Sequence, residues 1–233
     1  MSETQVFDDA EALARHAAQW LCALAGRSSG SFAVSLSGGS TPRRLYQLLA
    51  NSVLPWERVH WFWGDERFVP YADARSNYRM AREALLGRAP VPAANVHPMP
   101  TQGLSPEEAA AAYEAALQRY YGAGTLARER PLFDAMLLGI GEDGHMASLF
   151  PGQPALEEER RWVVAVRDAR KEARITLTYP ALQSSRHTAF LATGAAKRDA
   201  VRRAQAGDRA LPAGRLRPVG ALHWFIDREA AGK

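Results

Sequence analysis

The chain has 233 residues, 47% of them hydrophobic and 23% charged, with a formal net charge of +4. This is ordinary globular composition, long enough to bury one substantial core, and it predicts one α/β domain over residues 1–233. No stretch approaches the ~18 apolar residues of a membrane span, and the start MSETQVFDDAEALARH lacks the basic and apolar segments of a secretory leader, so a cytoplasmic protein is expected.

Residues 8–26 read as an opening helix, with Asp8 or Asp9 as N-cap, Leu13, Ala17, Leu21 and Leu24 at helical spacing, and Gly26 as the stop. Its lone cysteine, Cys22 in WLCALA, excludes an internal disulfide or thiolate cluster and reads as an inert core thiol. Next come a strand, SFAVSL at 31–36, the turn SGGSTP, and a helix from Pro42 to about Ala50. A second strand, VHWFW at 59–63, ends in GDERFVP, and helices follow at 76–86 and 106–121 around a Pro-rich connection at 89–100. The apolar run 133–138 suits a strand buried on both faces and ends in GIGEDGH. Further strands are expected at 162–166, 173–178, 187–192 and 221–226, with helices near 179–184 and 195–205. Such alternation predicts an α/β fold with a doubly wound, mainly parallel sheet, helices on both faces, and ligands bound beyond the carboxyl ends of the strands.

The unusual loops lie at those ends. Ser37-Gly38-Gly39-Ser40-Thr41-Pro42 follows a strand and opens a helix, so it reads either as a phosphate cradle of backbone amides or as a tight strand-helix turn. The spacing and lysine of a nucleotide P-loop are absent. Gly139-Ile140-Gly141-Glu142-Asp143-Gly144 has the letters of a dinucleotide loop, but two carboxylates would face the pyrophosphate and Pro151-Gly152 stops any following helix. The same loop delivers His145, whose ordinary pKa of about 6.5 suits proton transfer near neutrality. Asp143 either orients the imidazole or holds the turn. Arg67, Arg174 and Lys197 follow other strands, and Lys197 near a helix start opposes the helix dipole, which points to a local anion. Asp65 and Glu66 read most simply as a structural ion-pair group with Arg67, substrate hydroxyl contact being the alternative. The remaining arginines are scattered among 25 acidic residues with no basic run interleaved with aromatics, which argues against a nucleic-acid partner. Histidine spacing such as H-E-x-x-H is absent, so no metal is expected.

Taken together, SLSGGSTP at 35–42, WGDERFVP with SNY at 63–78, LLGIGEDGHMASLFPG at 137–152, RITLT at 174–178 and the ending ALHWFIDREAA resemble the 6-phosphogluconolactonase family, within the larger group of glucosamine-6-phosphate isomerase-like enzymes. The resemblance implies a Rossmann-like, sugar-phosphate isomerase-like fold. It also implies hydrolysis of 6-phospho-D-glucono-1,5-lactone to 6-phosphogluconate in the oxidative pentose phosphate pathway, with no cofactor, no membrane and no obligatory protein partner. On it, Gly39, Ser40, Thr41, Arg174 and Lys197 surround the phosphate, Arg67 lines the sugar site, and His145 carries the proton. Backbone amides near Gly144 and the Arg67 guanidinium are the two candidates for the oxyanion. The related deaminases carry a carboxylate five residues after the histidine, where this chain has Phe150, and Asp-Glu-Tyr where it has Asp65-Glu66-Arg67. Met146 departs from the lactonase pattern, which often has threonine there. A sugar-phosphate deaminase and a non-catalytic phosphosugar sensor are the rival readings.

Overall fold

The computed structural model describes residues 2–167 and 171–233. The chain opens with strand β1 (Ser2–Phe7) and helix α1 (Ala10–Arg27), then β2 (Phe32–Leu36), α2 (Ser40–Leu49), β3 (Val59–Trp63), β4 (Asp65–Arg67), α3 (Asn77–Ala81) and α4 (Pro106–Tyr121). It continues with β5 (Phe133–Leu138), β6 (Val163–Val166), β7 (Arg174–Leu177), α5 (Tyr179–Gln183), β8 (Ser185–Ala192), α6 (Arg198–Gln205), α7 (Pro212–Arg215), β9 (Ala221–Asp227) and α8 (Arg228–Ala231).

Local chemistry sets the helix ends. The Asp9 carboxylate accepts from Ala12 N at 2.7 Å, a cap that contributes about 1 kcal/mol, and α1 then buries Leu13, Ala17 and Leu21 on one stripe. Ser105 and Glu108 form a reciprocal capping box for α4, which ends at Gly122 in the left-handed region. The predicted helix at 76–86 is α3, which passes into a π-turn over Arg82–Leu86.

Six strands form one wholly parallel sheet in the order β1-β9-β8-β5-β2-β3. All five residues of β2 are buried, as are five of the six in β5, which is the burial expected of central parallel strands. From β2 the chain steps outward to β3, then returns to β5 on the other side of β2 and continues through β8 to β9. The winding direction therefore reverses between β2 and β5. At that point the loops leaving neighbouring strands diverge and open a crevice. Two buried tyrosines hold these strand ends. Tyr46 Oη donates to Ser37 O at 2.8 Å and accepts from Ser37 N at 2.9 Å, while Tyr113 Oη donates to Trp63 O at 3.2 Å and accepts from Trp63 N at 2.9 Å. Each hydroxyl satisfies both backbone groups of a residue where the ladder stops.

Two expectations need correction. The segments 162–166 and 173–178 are strands, but β6 and β7 stand outside the main sheet and pair antiparallel in a separate three-stranded sheet, β4-β7-β6. The N-terminal segment, where no element is expected before the opening helix, is an edge strand paired with β9 from Ser2↔Leu222 to Phe7↔Asp227. Parallel backbone bonding holds β1, whose side chains are largely exposed.

Candidate active site

A cleft of about 300 Å³ opens at the point where the winding reverses. One wall is the loop after β2, Ser37 to Gly39; a second is the loop after β5, with Gly139 to Gly141, His145 and Ala147. The small sheet supplies Asp65, Arg67 and Arg174, while α3 contributes Asn77 and the turn after β8 contributes Lys197.

His145 Nδ1 lies 2.5 Å from Asp143 Oδ1, and the same oxygen accepts from the His145 backbone N–H at 3.1 Å. This pattern assigns the proton to Nδ1 and leaves Nε2 as the basic nitrogen. The buried Phe150 ring tilts against the imidazole with centroids 4.6 Å apart. Phe150, at the position where the resemblance gives the deaminases a carboxylate, is thus packed on His145. Ala147 has φ 47°, a left-handed conformation that costs an alanine of order 1 kcal/mol. Its neighbour Met146 is fully buried and adds no polar group to the cleft.

Strand alternation explains why the three consecutive charges of β4 act differently. Asp65 and Arg67 line the cleft, whereas Glu66 turns to the opposite side and accepts from Arg67 N, Ser76 Oγ, Asn77 N and Tyr78 N. Burial pushes the Glu66 carboxyl up from its ordinary value, against the pull of those backbone donors. It organises the start of α3. Asp65 accepts from Ser148 Oγ at 2.6 Å, and Asn77 Nδ2 donates to Asp65 O at 2.9 Å. The expected ion-pair group does not form: Arg67 Nη1 donates to Arg75 O, and Arg67 Nε is buried without a hydrogen-bond partner.

Arg67 and Arg174 are direct partners across the β4–β7 pair. Like charges in that relation destabilise a ladder, and both side chains line the cleft. Lys197 ends the turn Ala195–Lys197, which is anchored where Gly194 N donates to the Asp227 carboxylate at 3.0 and 3.1 Å.

Of the residues expected to surround phosphate, Gly38, Gly39, Arg174 and Lys197 line the cleft. Ser40 and Thr41 do not line it. Ser40 is the exposed first residue of α2, and Thr41 Oγ1 is bonded to Thr193 Oγ1 at 2.9 Å. Gly39 reaches φ 113° as N-cap, and the first turn of α2 has no side-chain cap. Of the backbone amides near Gly144 considered for the oxyanion, the Gly144 N–H itself is engaged with Gly141 O at 3.0 Å. Sequence reasoning gave no role to Asn77 or Ser148. The SNY triplet was the available signal for Asn77, and Ser148 carried none. Among the described residues, no group of three or more His, Cys, Asp or Glu could hold a metal ion, and no helix is long and apolar enough to cross a membrane.

The family model for glucosamine-6-phosphate isomerases/6-phosphogluconolactonase matches residues 8–224. The chain is 43% identical over 211 residues to a 6-phosphogluconolactonase of Synechocystis, covering 89% of this chain and 86% of that one. It is 38% identical to a 6-phosphogluconolactonase of Mycobacterium bovis, covering 100% and 98%. The solved 6-phosphogluconolactonase of Trypanosoma brucei superposes with a TM-score of 0.86 at 30% identity, over 100% of this chain and 98% of that one. With a matched model spanning nearly its whole length and relatives of this similarity, the chain belongs to the glucosamine-6-phosphate isomerase/6-phosphogluconolactonase family.

Proposed function

We propose that this protein hydrolyses 6-phospho-D-glucono-1,5-lactone to 6-phosphogluconate, the lactone-opening step of the oxidative pentose phosphate pathway. The observation that carries the reading is the Asp143–His145 pair in one cleft with Arg67, Arg174 and Lys197. That set combines a proton carrier with enough positive charge for a phosphorylated substrate. His145 Nε2 takes a proton from water as the oxygen attacks the lactone carbonyl. The tetrahedral intermediate collapses with cleavage of the bond to the ring oxygen, which takes the proton back from the imidazolium. Asp143 holds the Nδ1–H throughout and stabilises the charged ring. The Gly144 amide is engaged with Gly141 O, and the Arg67 guanidinium, which lines the cleft, faces the oxyanion on this reading, a contribution of about 3 kcal/mol for a good donor.

Arg174, Lys197 and the uncapped amides at the start of α2 hold the phosphate and fix the lactone against His145. Phe150 favours hydrolysis over deamination, because ring-opening isomerisation needs further base groups and an aromatic ring occupies the place of one. On this reading the enzyme works in the cytoplasm without cofactor, nucleic acid, membrane or obligatory protein partner. The test is an assay with fresh 6-phosphogluconolactone, corrected for spontaneous opening, alongside ammonia release from glucosamine-6-phosphate. Acceleration of the first alone is expected. Phosphosugar binding with no turnover of either substrate would refute it.

A further inference from the structure

We propose that Tyr179 is a positioning residue for the Asp143–His145 pair, acting through a relay of two hydrogen-bonded peptide groups. Tyr179 Oη donates to Pro212 O at 2.9 Å. That carbonyl shares a peptide with Ala213 N–H, which donates to Gly144 O at 3.0 Å. The Gly144 carbonyl in turn shares a peptide with His145 N–H, which donates to Asp143 Oδ1 at 3.1 Å, the oxygen that also holds His145 Nδ1. Three successive bonds, in one direction, thus link a phenol outside the cleft to the oxygen that orients the imidazole.

Each link has a local cause. Pro212 opens α7, so Ala213 N–H is a first-turn amide with no intrahelical partner and is available to the catalytic loop. Tyr179 opens α5 one residue after β7, the strand of Arg174. Burial pushes the phenol up to about 12, so it stays a donor at every pH where the enzyme works. Bonds in such a chain polarise one another, and each makes the next donor stronger. The relay keeps Asp143 fixed by a main-chain donor when the His145 side chain moves its proton.

The kinetic part rests on the lactonase reading, and the spectroscopic part is independent of it. Tyr179→Phe removes one hydroxyl and keeps the ring. The first readout is the backbone amide proton resonances of Ala213 and His145, which should both move upfield as their bonds weaken. The second is turnover of 6-phosphogluconolactone: kcat should fall about fivefold, the scale of one lost neutral hydrogen bond, with KM unchanged. Glu107→Ala serves as control, since exposed Glu107 pairs with Arg167 at the start of α4 and takes no part in the relay. It should leave the two resonances and kcat at wild-type values. Unmoved His145 and Ala213 amides in Tyr179→Phe overturn the relay whatever the enzyme's substrate is. A kcat loss matched by Glu107→Ala, or one accompanied by an equal rise in KM, overturns the positioning role.

Discussion

Replacing Gly141 with alanine tests whether His145 works from the place the fold assigns it. A Cβ built on Gly141 falls 2.0 Å from His145 Nδ1 and 2.5 Å from Asp143 Oδ1, and real Cβ atoms essentially never come within 3.0 Å of such neighbours. Gly141 lies outside the left-handed region, so alanine adds no backbone strain there and the whole effect falls on the side chains. The imidazole must retreat by about 1 Å or rotate off Asp143. Displacement on that scale costs ~100-fold in rate, or about 2.7 kcal/mol of barrier. Arg174 and Lys197 stand on other elements, so affinity for 6-phosphogluconate should stay near wild type. Initial rates with fresh lactone, paired with calorimetric titration of the product, separate the two effects. A G141A enzyme turning over within about threefold of wild type would show that the Asp143–His145 geometry does not limit the reaction.

His145→Asn should lower kcat by ~100-fold or more with little change in product affinity, and near-wild-type turnover would remove His145 from the mechanism. Arg174→Ala or Lys197→Ala should weaken 6-phosphogluconate binding by about 2 to 4 kcal/mol and leave unphosphorylated gluconolactone almost unaffected; equal losses for the two ligands would point to a folding defect instead. A further prediction concerns His97, bonded to His60 across 3.1 Å and stacked on Phe62. Burial first, and His60 second, hold its pKa down at about 4, against about 6.5 in an unfolded chain, so unfolding takes up protons between these values. Stability should therefore be full above about pH 6.5 and fall on acidification toward about 4. Urea midpoints of His97→Gln across that window should show a shallower slope than wild type, and an unchanged slope would contradict the assignment.

The central strands were legible because burial on both faces leaves mainly apolar runs such as FAVSL and AMLL, and the helices because their caps and stripes are conventional. β1 was not legible. Of SETQVF only Val6 and Phe7 are apolar, and an edge strand held by backbone bonds to β9 needs no apolar pattern. β6 and β7 were read as strands, yet periodicity cannot say which sheet a strand joins; here Asp65 to Arg67 pairs with β7, which in turn pairs with β6. The cleft residues with ionisable side chains stood out in the sequence. Asn77 did not, because an uncharged amide gains its place only when Glu66 gathers the start of α3 beneath the cleft. Ser40 and Thr41 were legible as a loop but not as to what their side chains do, since Thr193 lies 152 positions from Thr41 in the chain.

The small β4–β7–β6 sheet makes the site a matter of register. Arg67 and Arg174 reach the cleft only while Asp65 pairs with Thr176, Glu66 with Ile175 and Arg67 with Arg174. Because side chains alternate along a strand, a slip of a single residue in β4 would send Asp65 and Arg67 to the far side and swing Glu66 into the cleft, leaving a lone anion where an anion and a cation stood. A strand of three residues has few ladder bonds with which to resist such a slip. What fixes it is Glu66, locked by its donors from Ser76, Asn77 and Tyr78. The side chain with no chemistry of its own therefore sets the charge of the site. Length changes in the segment 68–75 should be tolerated only where they leave that lock intact.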